Sequence, residues 1–127
     1  MIYSDKQYGV SSAQLAKFQD ALVAAKARAS EKAWLKQAEI DGLKSQIADI
    51  KAELAEYVLL KSGQVSFSKA YALEELPRVL VQARIASGMS QTDLAETLGM
   101  KPQQVQRYEA TDYMGASLGR LIEISKA

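Results

Sequence analysis

The sequence has no cysteine and no histidine. The first absence excludes disulfides, thiol nucleophiles and every zinc site that needs a thiolate, and it suits a reducing compartment. The second removes imidazole general bases, serine–histidine–aspartate triads and histidine-ligated metals. Carboxylates and lysines remain, yet the chain shows no phosphate-binding loop, metal-ligand cluster or nucleophile–base pair. The expectation is a protein that is not an enzyme and uses no cofactor or metal. An excess of one charge is also lacking: 16 basic against 15 acidic residues leave a net charge of +1. Nucleic-acid binding would then depend on a local patch or on paired subunits. Long apolar runs are missing too. Nothing approaches the roughly 20 residues of a membrane span, and the opening MIYSDKQYGV lacks the basic-then-apolar pattern of a secretory signal. A soluble, cytoplasmic protein, bacterial or phage-encoded, without a membrane partner, is expected.

What is present fills 127 residues, 48% of them apolar. That is one domain, or a small domain with an extension. Three stretches differ in composition, and the expected division is an N-terminal arm and helix over 1–62, a connector over 63–76 and a compact domain over 77–127. Residues 11–62 are rich in alanine and straight-chain side chains, with no proline and one glycine, a composition that favours helix. Ser11 and Gln14 have the spacing of a capping box. Small or apolar residues then recur at Leu15, Phe18, Leu22, Ala25, Ala29, Ala33, Lys36, Ile40, Leu43, Ile47, Ile50, Leu54 and Tyr57. The steps alternate between three and four, with a four-four slip at Ala29 and a misfit at Lys36. This is a heptad seam with a stutter. Its strongest part, Ile40, Leu43, Ile47, Ile50, Leu54 and Tyr57, is expected to form the seam of a homodimer. One continuous helix from Ser12 to Leu60 would be about 70 Å long, more than its own domain could cover. A hairpin broken at Asp41–Gly42 and a helix packed on its own domain are the alternatives. The seam passes Gly42 without losing phase, which favours continuity.

Gly63 is a helix stop. Gln64–Ser68 alternates apolar and polar, a pattern that can form a short strand only by pairing with its copy or with Ile2–Val10. From Pro77 the pattern is of short helices. Pro77 and Pro102 suit first helical turns, Gly88 and Gly99 suit stops, and Ser90 with Asp93 suits an N-cap. A last helix begins near Ser117 and carries Leu118, Leu121, Ile122 and Ile124. The expected class is all-α: a long coiled-coil helix followed by a compact four-helix domain. Gln91–Tyr108 has the spacing of two helices crossing near a right angle. Ala95 stands where they touch, Gly99 in the tight turn, and Leu94, Leu98 and Val105 face inward.

Through Arg84, Ser90-Gln91, Leu94-Ala95, Leu98-Gly99, Val105 and Glu109, residues 77–126 resemble the Cro/repressor (Xre) family of helix-turn-helix domains, with a lambda-repressor-like fold. The resemblance implies that Pro102–Tyr108 enters the major groove of double-stranded DNA. It further implies that Gln91 meets a phosphate and that Arg84 and Glu109 form a structural ion pair. Ala110-Thr111 replaces the Asn-Gly common in the family. Gln103, and Arg107 one turn later, are the expected base readers, because glutamine matches adenine and arginine matches guanine in the major groove. Gln104 is a further base candidate. Lys101, Ser90 and Gln91 are the expected phosphate contacts. The expected function is a sequence-specific transcriptional repressor, binding an inverted repeat as a homodimer through the N-terminal helix. The competing readings are the antitoxin of a toxin–antitoxin pair, with a toxin as partner, and a coiled-coil interaction protein.

Overall fold

A computed structural model describes residues 1–67 and 71–127. Two compact units divide the chain, Met1–Tyr57 and Val58–Ala127. The described residues form α-helices with one 3-10 turn and no strand. The all-α class and the compact C-terminal domain are as expected.

The long helix is corrected: it is two helices, α1 (Asp5–Ala27) and α2 (Ala33–Lys61). The break falls at 28–32, within a stretch that holds neither glycine nor proline, and Gly42 lies inside α2. A local serine supplies the turn. Ser30 Oγ accepts from the Lys32 N–H and donates to the Lys32 carbonyl, both at 3.2 Å. Such side-chain bonds offer the backbone an alternative to the helical ladder. Gly42 is tolerated because a helix interior meets only a propensity cost of about 1 kcal/mol there. The helix also starts earlier than Ser11. Ser4 is the N-cap, its hydroxyl accepting from the Gln7 N–H at 3.3 Å.

The two helices run antiparallel. The N-terminal amine meets Glu53 at 3.5 Å, Tyr57 donates its hydroxyl proton to Asp5 at 3.0 Å, and the Tyr8 and Tyr57 rings lie 5.7 Å apart. At the other end Arg28 bonds Glu39, and Lys36 donates to the Lys26 carbonyl at 3.0 Å. Lys36, the misfit of the seam, thus takes up an orphan carbonyl at the end of α1 and sets a cation at its negative pole. The seam is buried within the chain: Ile40, Ile47 and Tyr57 are buried with Ile2 and Ala25, while Leu15, Phe18, Leu22, Leu43, Ile50 and Leu54 are half-buried.

In the second unit, α3 (Leu76–Ala86) follows a 3-10 turn at Leu73–Glu75, with Pro77 in its first turn. Then come α4 (Gln91–Leu98), α5 (Pro102–Ala110) and α6 (Leu118–Lys126). Leu80, Val81, Ile85, Leu94, Ala95, Val105, Tyr113 and Ile124 form the core. On α6 the expected inward set divides. Ile124 is buried and Leu121 half-buried, whereas Leu118 and Ile122 are exposed. Residues 64–67 are irregular, without the ladder partner a strand requires; Ser68, the end of the expected strand, lies outside the described residues.

Candidate nucleic-acid interface

Helix α4 is fixed at both ends by local chemistry. Ser90 Oγ accepts from the Asp93 N–H at 3.0 Å, and Asp93 accepts from the Ser90 N–H at 2.8 Å, a reciprocal capping box. Ser90 also donates its hydroxyl proton to Asp93 at 2.7 Å. These bonds hold the Asp93 carboxyl below its ordinary value, the Ser90 hydroxyl first and its backbone N–H second. At the C-terminal end Gly99 is left-handed, with φ of 65°, a conformation a side chain would strain. Helix α5 starts there with Lys101 as N-cap and Pro102 in its first turn. Ala95, fully buried on α4, lets the two helices close on each other.

The far end of α5 is anchored by charge. Glu109 is 1% exposed and Arg84 is 7% exposed. Arg84 donates Nε–H to Glu109 Oε1 at 2.6 Å and Nη2–H to Oε2 at 3.0 Å, a fork that matches a carboxylate. Its Nη1 donates to the Met89 carbonyl at 2.8 Å. Gln91 adds a third donor to Glu109, Nε2–H to Oε2 at 2.7 Å. A single carboxylate therefore joins α3, α4 and α5.

With both ends fixed, the outer face of α5 is a rigid display. Lys101, Gln103, Gln104, Arg107, Tyr108, Thr111, Met114 and Gly115 line one open concave surface. Gln103, Gln104, Arg107 and Lys101 are exposed, while Val105 on the opposite face is buried. The expected base readers are thus brought together. Gln104 is partly committed, since its Oε1 accepts from the Lys101 N–H at 3.0 Å and caps its own helix. The expected phosphate contacts are distributed differently. Both Ser90 donors go to Asp93, so Ser90 has none left for an anion. Gln91, with one amide hydrogen on Glu109, keeps a second. Met114 and Thr111 were not foreseen as part of this surface. Their only signal in the sequence is nearness to the end of α5.

The loop after α5 has its own fixed shape. Asp112 and Tyr113 are left-handed, with φ of 51° and 56°. Tyr113 donates its N–H to the Tyr108 carbonyl at 2.8 Å, and the two rings stack with centroids 5.8 Å apart. Burial raises the Tyr113 phenol well above its ordinary value; Glu109 adds to the shift and Arg84 opposes it.

Residues 80–127 match the family model described as helix-turn-helix. This segment is a helix-turn-helix domain of the Cro/repressor (Xre) type. The matched segment includes α4, the left-handed Gly99 and α5. The domain is a DNA-binding, regulatory one rather than a catalytic one. No curated protein and no solved structure matches the chain. No described helix is long and apolar enough to cross a membrane.

Proposed function

We propose that the protein is a sequence-specific reader of double-stranded DNA that represses transcription as a homodimer on an inverted repeat, in a bacterial or phage cytoplasm. The observation that carries this reading is the exposed face of α5, with Gln103 and Arg107 one turn apart on a helix held at both ends. Arginine pairs with guanine O6 and N7, and a glutamine amide with adenine N6 and N7. Lys101 and the second amide hydrogen of Gln91 suit phosphates, which set register rather than sequence. Arg84 and Glu109 position the helix and touch no base. The homodimer uses the half-exposed edge of the hairpin, where Leu43, Ile50 and Leu54 remain within reach beside Leu15, Phe18 and Leu22. Ile40, Ile47 and Tyr57 are already covered, so they stabilise the protomer first.

The test is selection from a random duplex library at moderate salt, with a Gln103→Ala/Arg107→Ala protein alongside. An inverted repeat enriched by the wild type and lost in the variant is the expected result. No enrichment by either protein would sink the repressor reading. A protein-binding role, as an antitoxin or interaction protein, has one observation in its favour: Trp34 is 70% exposed beside the exposed Leu35, at the start of α2. Exposed tryptophan is a frequent anchor of protein interfaces. Loss of biological activity on changing Trp34 and Leu35 with DNA binding intact would favour that role.

A further inference from the structure

Met114 is the most exposed large apolar side chain among the described residues, at 86%. It lines the same concave surface as Gln103, Gln104 and Arg107. The surrounding loop is not slack: the Tyr108–Tyr113 stack, the Tyr113–Tyr108 backbone bond and the Met114 N–H to the Thr111 carbonyl at 3.1 Å fix its course. An unbranched thioether is therefore held in water at the edge of a surface whose other exposed side chains carry amides, cations or, at Thr111, a hydroxyl bonded to the Arg107 carbonyl. The floor of the major groove offers mainly hydrogen-bonding groups, and its one apolar group is the thymine 5-methyl. Every adenine that a glutamine reads has a thymine as its pair, so amide readers and a methyl reader call for the same A·T-rich half-site.

Resting on the DNA-reading function above, we infer that Met114 is a specificity-determining residue that packs against a thymine methyl at one position of each half-site. Contact with the methyl removes apolar surface from water on both partners. A thioether side chain suits it, because methionine adapts its three torsions to an irregular apolar partner. The consequence is discrimination between thymine and uracil at one position, which the hydrogen bonds of an amide or guanidinium do not supply.

The experiment uses the full chain and the operator obtained by selection. Each thymine of one half-site is replaced in turn by deoxyuridine, which lacks only the methyl, and affinities are measured for wild type, Met114→Ala and Gln103→Ala. One deoxyuridine position is expected to weaken the wild type by about fourfold, the equivalent of one buried methylene-sized group. Met114→Ala, which removes the contact from both half-sites, should bind the thymine operator about sixteenfold more weakly and be indifferent to deoxyuridine at that position. Gln103→Ala should remain sensitive to it. Met114→Leu should restore most of the discrimination. At such exposure the alanine variant has no core contact to lose, and an unchanged thermal midpoint checks this. A flat deoxyuridine scan overturns the inference, and so does full sensitivity in Met114→Ala; both leave the repressor reading standing. Failure to select any operator overturns both readings together.

Discussion

Glu109 accepts three side-chain hydrogen bonds while almost wholly out of water. Taking away Arg84 leaves that charge with only the Gln91 amide. Removing one member of a buried pair typically costs about 3–5 kcal/mol, while replacing both by apolar groups is often near neutral. Arg84→Met should therefore lower the unfolding free energy by about 3 kcal/mol in urea titrations, and Arg84→Met with Glu109→Leu should recover most of it. A double variant as unstable as the single one would refute this account. Tyr113 gives a second test at the same scale. Its phenol ionises less readily folded than unfolded, so the folded state holds the proton more tightly. Its contribution is complete below the ordinary value of 10.0 and is lost as pH rises beyond it. Unfolding free energy should fall above about pH 10, and Tyr113→Phe should fall less steeply over the same range. Asp93 has the opposite sign. Its carboxyl is held low by Ser90, so its cap is complete above 3.8 and weakens as pH drops through that region. Asp93→Asn should flatten the acid limb of the stability curve, measured by circular dichroism.

At the scale of elements, much could be read from the residues because the signals were short-range. The Ser90 cap, the Gly99 turn, Pro77 and Pro102 in first turns, and the buried Leu94, Ala95 and Val105 each depend on a few neighbours in sequence. The resemblance paired Arg84 with Glu109, which lie 25 residues apart and meet. The turn at 28–32 was not legible in the same way. It contains no strong breaker, and its serine bond gives only weak local preference. The heptad slip at Ala29 did mark it: a stutter inside one helix and a reversal between two helices leave the same trace. Lys36 at a seam position was the second sign, since it caps α1 instead of packing in the seam. The hairpin rests on few buried side chains, so its core should be sensitive. Ile47→Ala should cost about 2–4 kcal/mol in the N-terminal unit. Cavity costs of that size should appear as faster amide exchange across α1 and α2. Unchanged exchange there would mean that these helices do not hold each other.

For the whole molecule the deciding quantity is charge. Residues 63–127 carry seven basic and seven acidic side chains. Arg84 is neutralised by Glu109 and Arg120 by Glu123. The cations on the reading surface are Lys101 and Arg107, and Arg107 is assigned to a base. Counterion release then has little to act on. Each phosphate neutralised on duplex DNA contributes about −0.9 to the slope of log affinity against log salt. With Lys101 as the cationic phosphate contact of each protomer, the proposed dimer should show a slope of about −2, losing roughly fifteenfold in affinity between 50 and 200 mM salt. Lys101→Ala should flatten that slope without changing the preferred sequence. The same variant separates the two classes of contact: a lost phosphate partner weakens all sequences alike, whereas Arg107→Ala should relax preference at one position. A slope much steeper than −2 would place further cations on the DNA. Alanine variants of the remaining cations of the second unit, Lys61, Arg78 and Lys126 first, would identify which of them add to the slope.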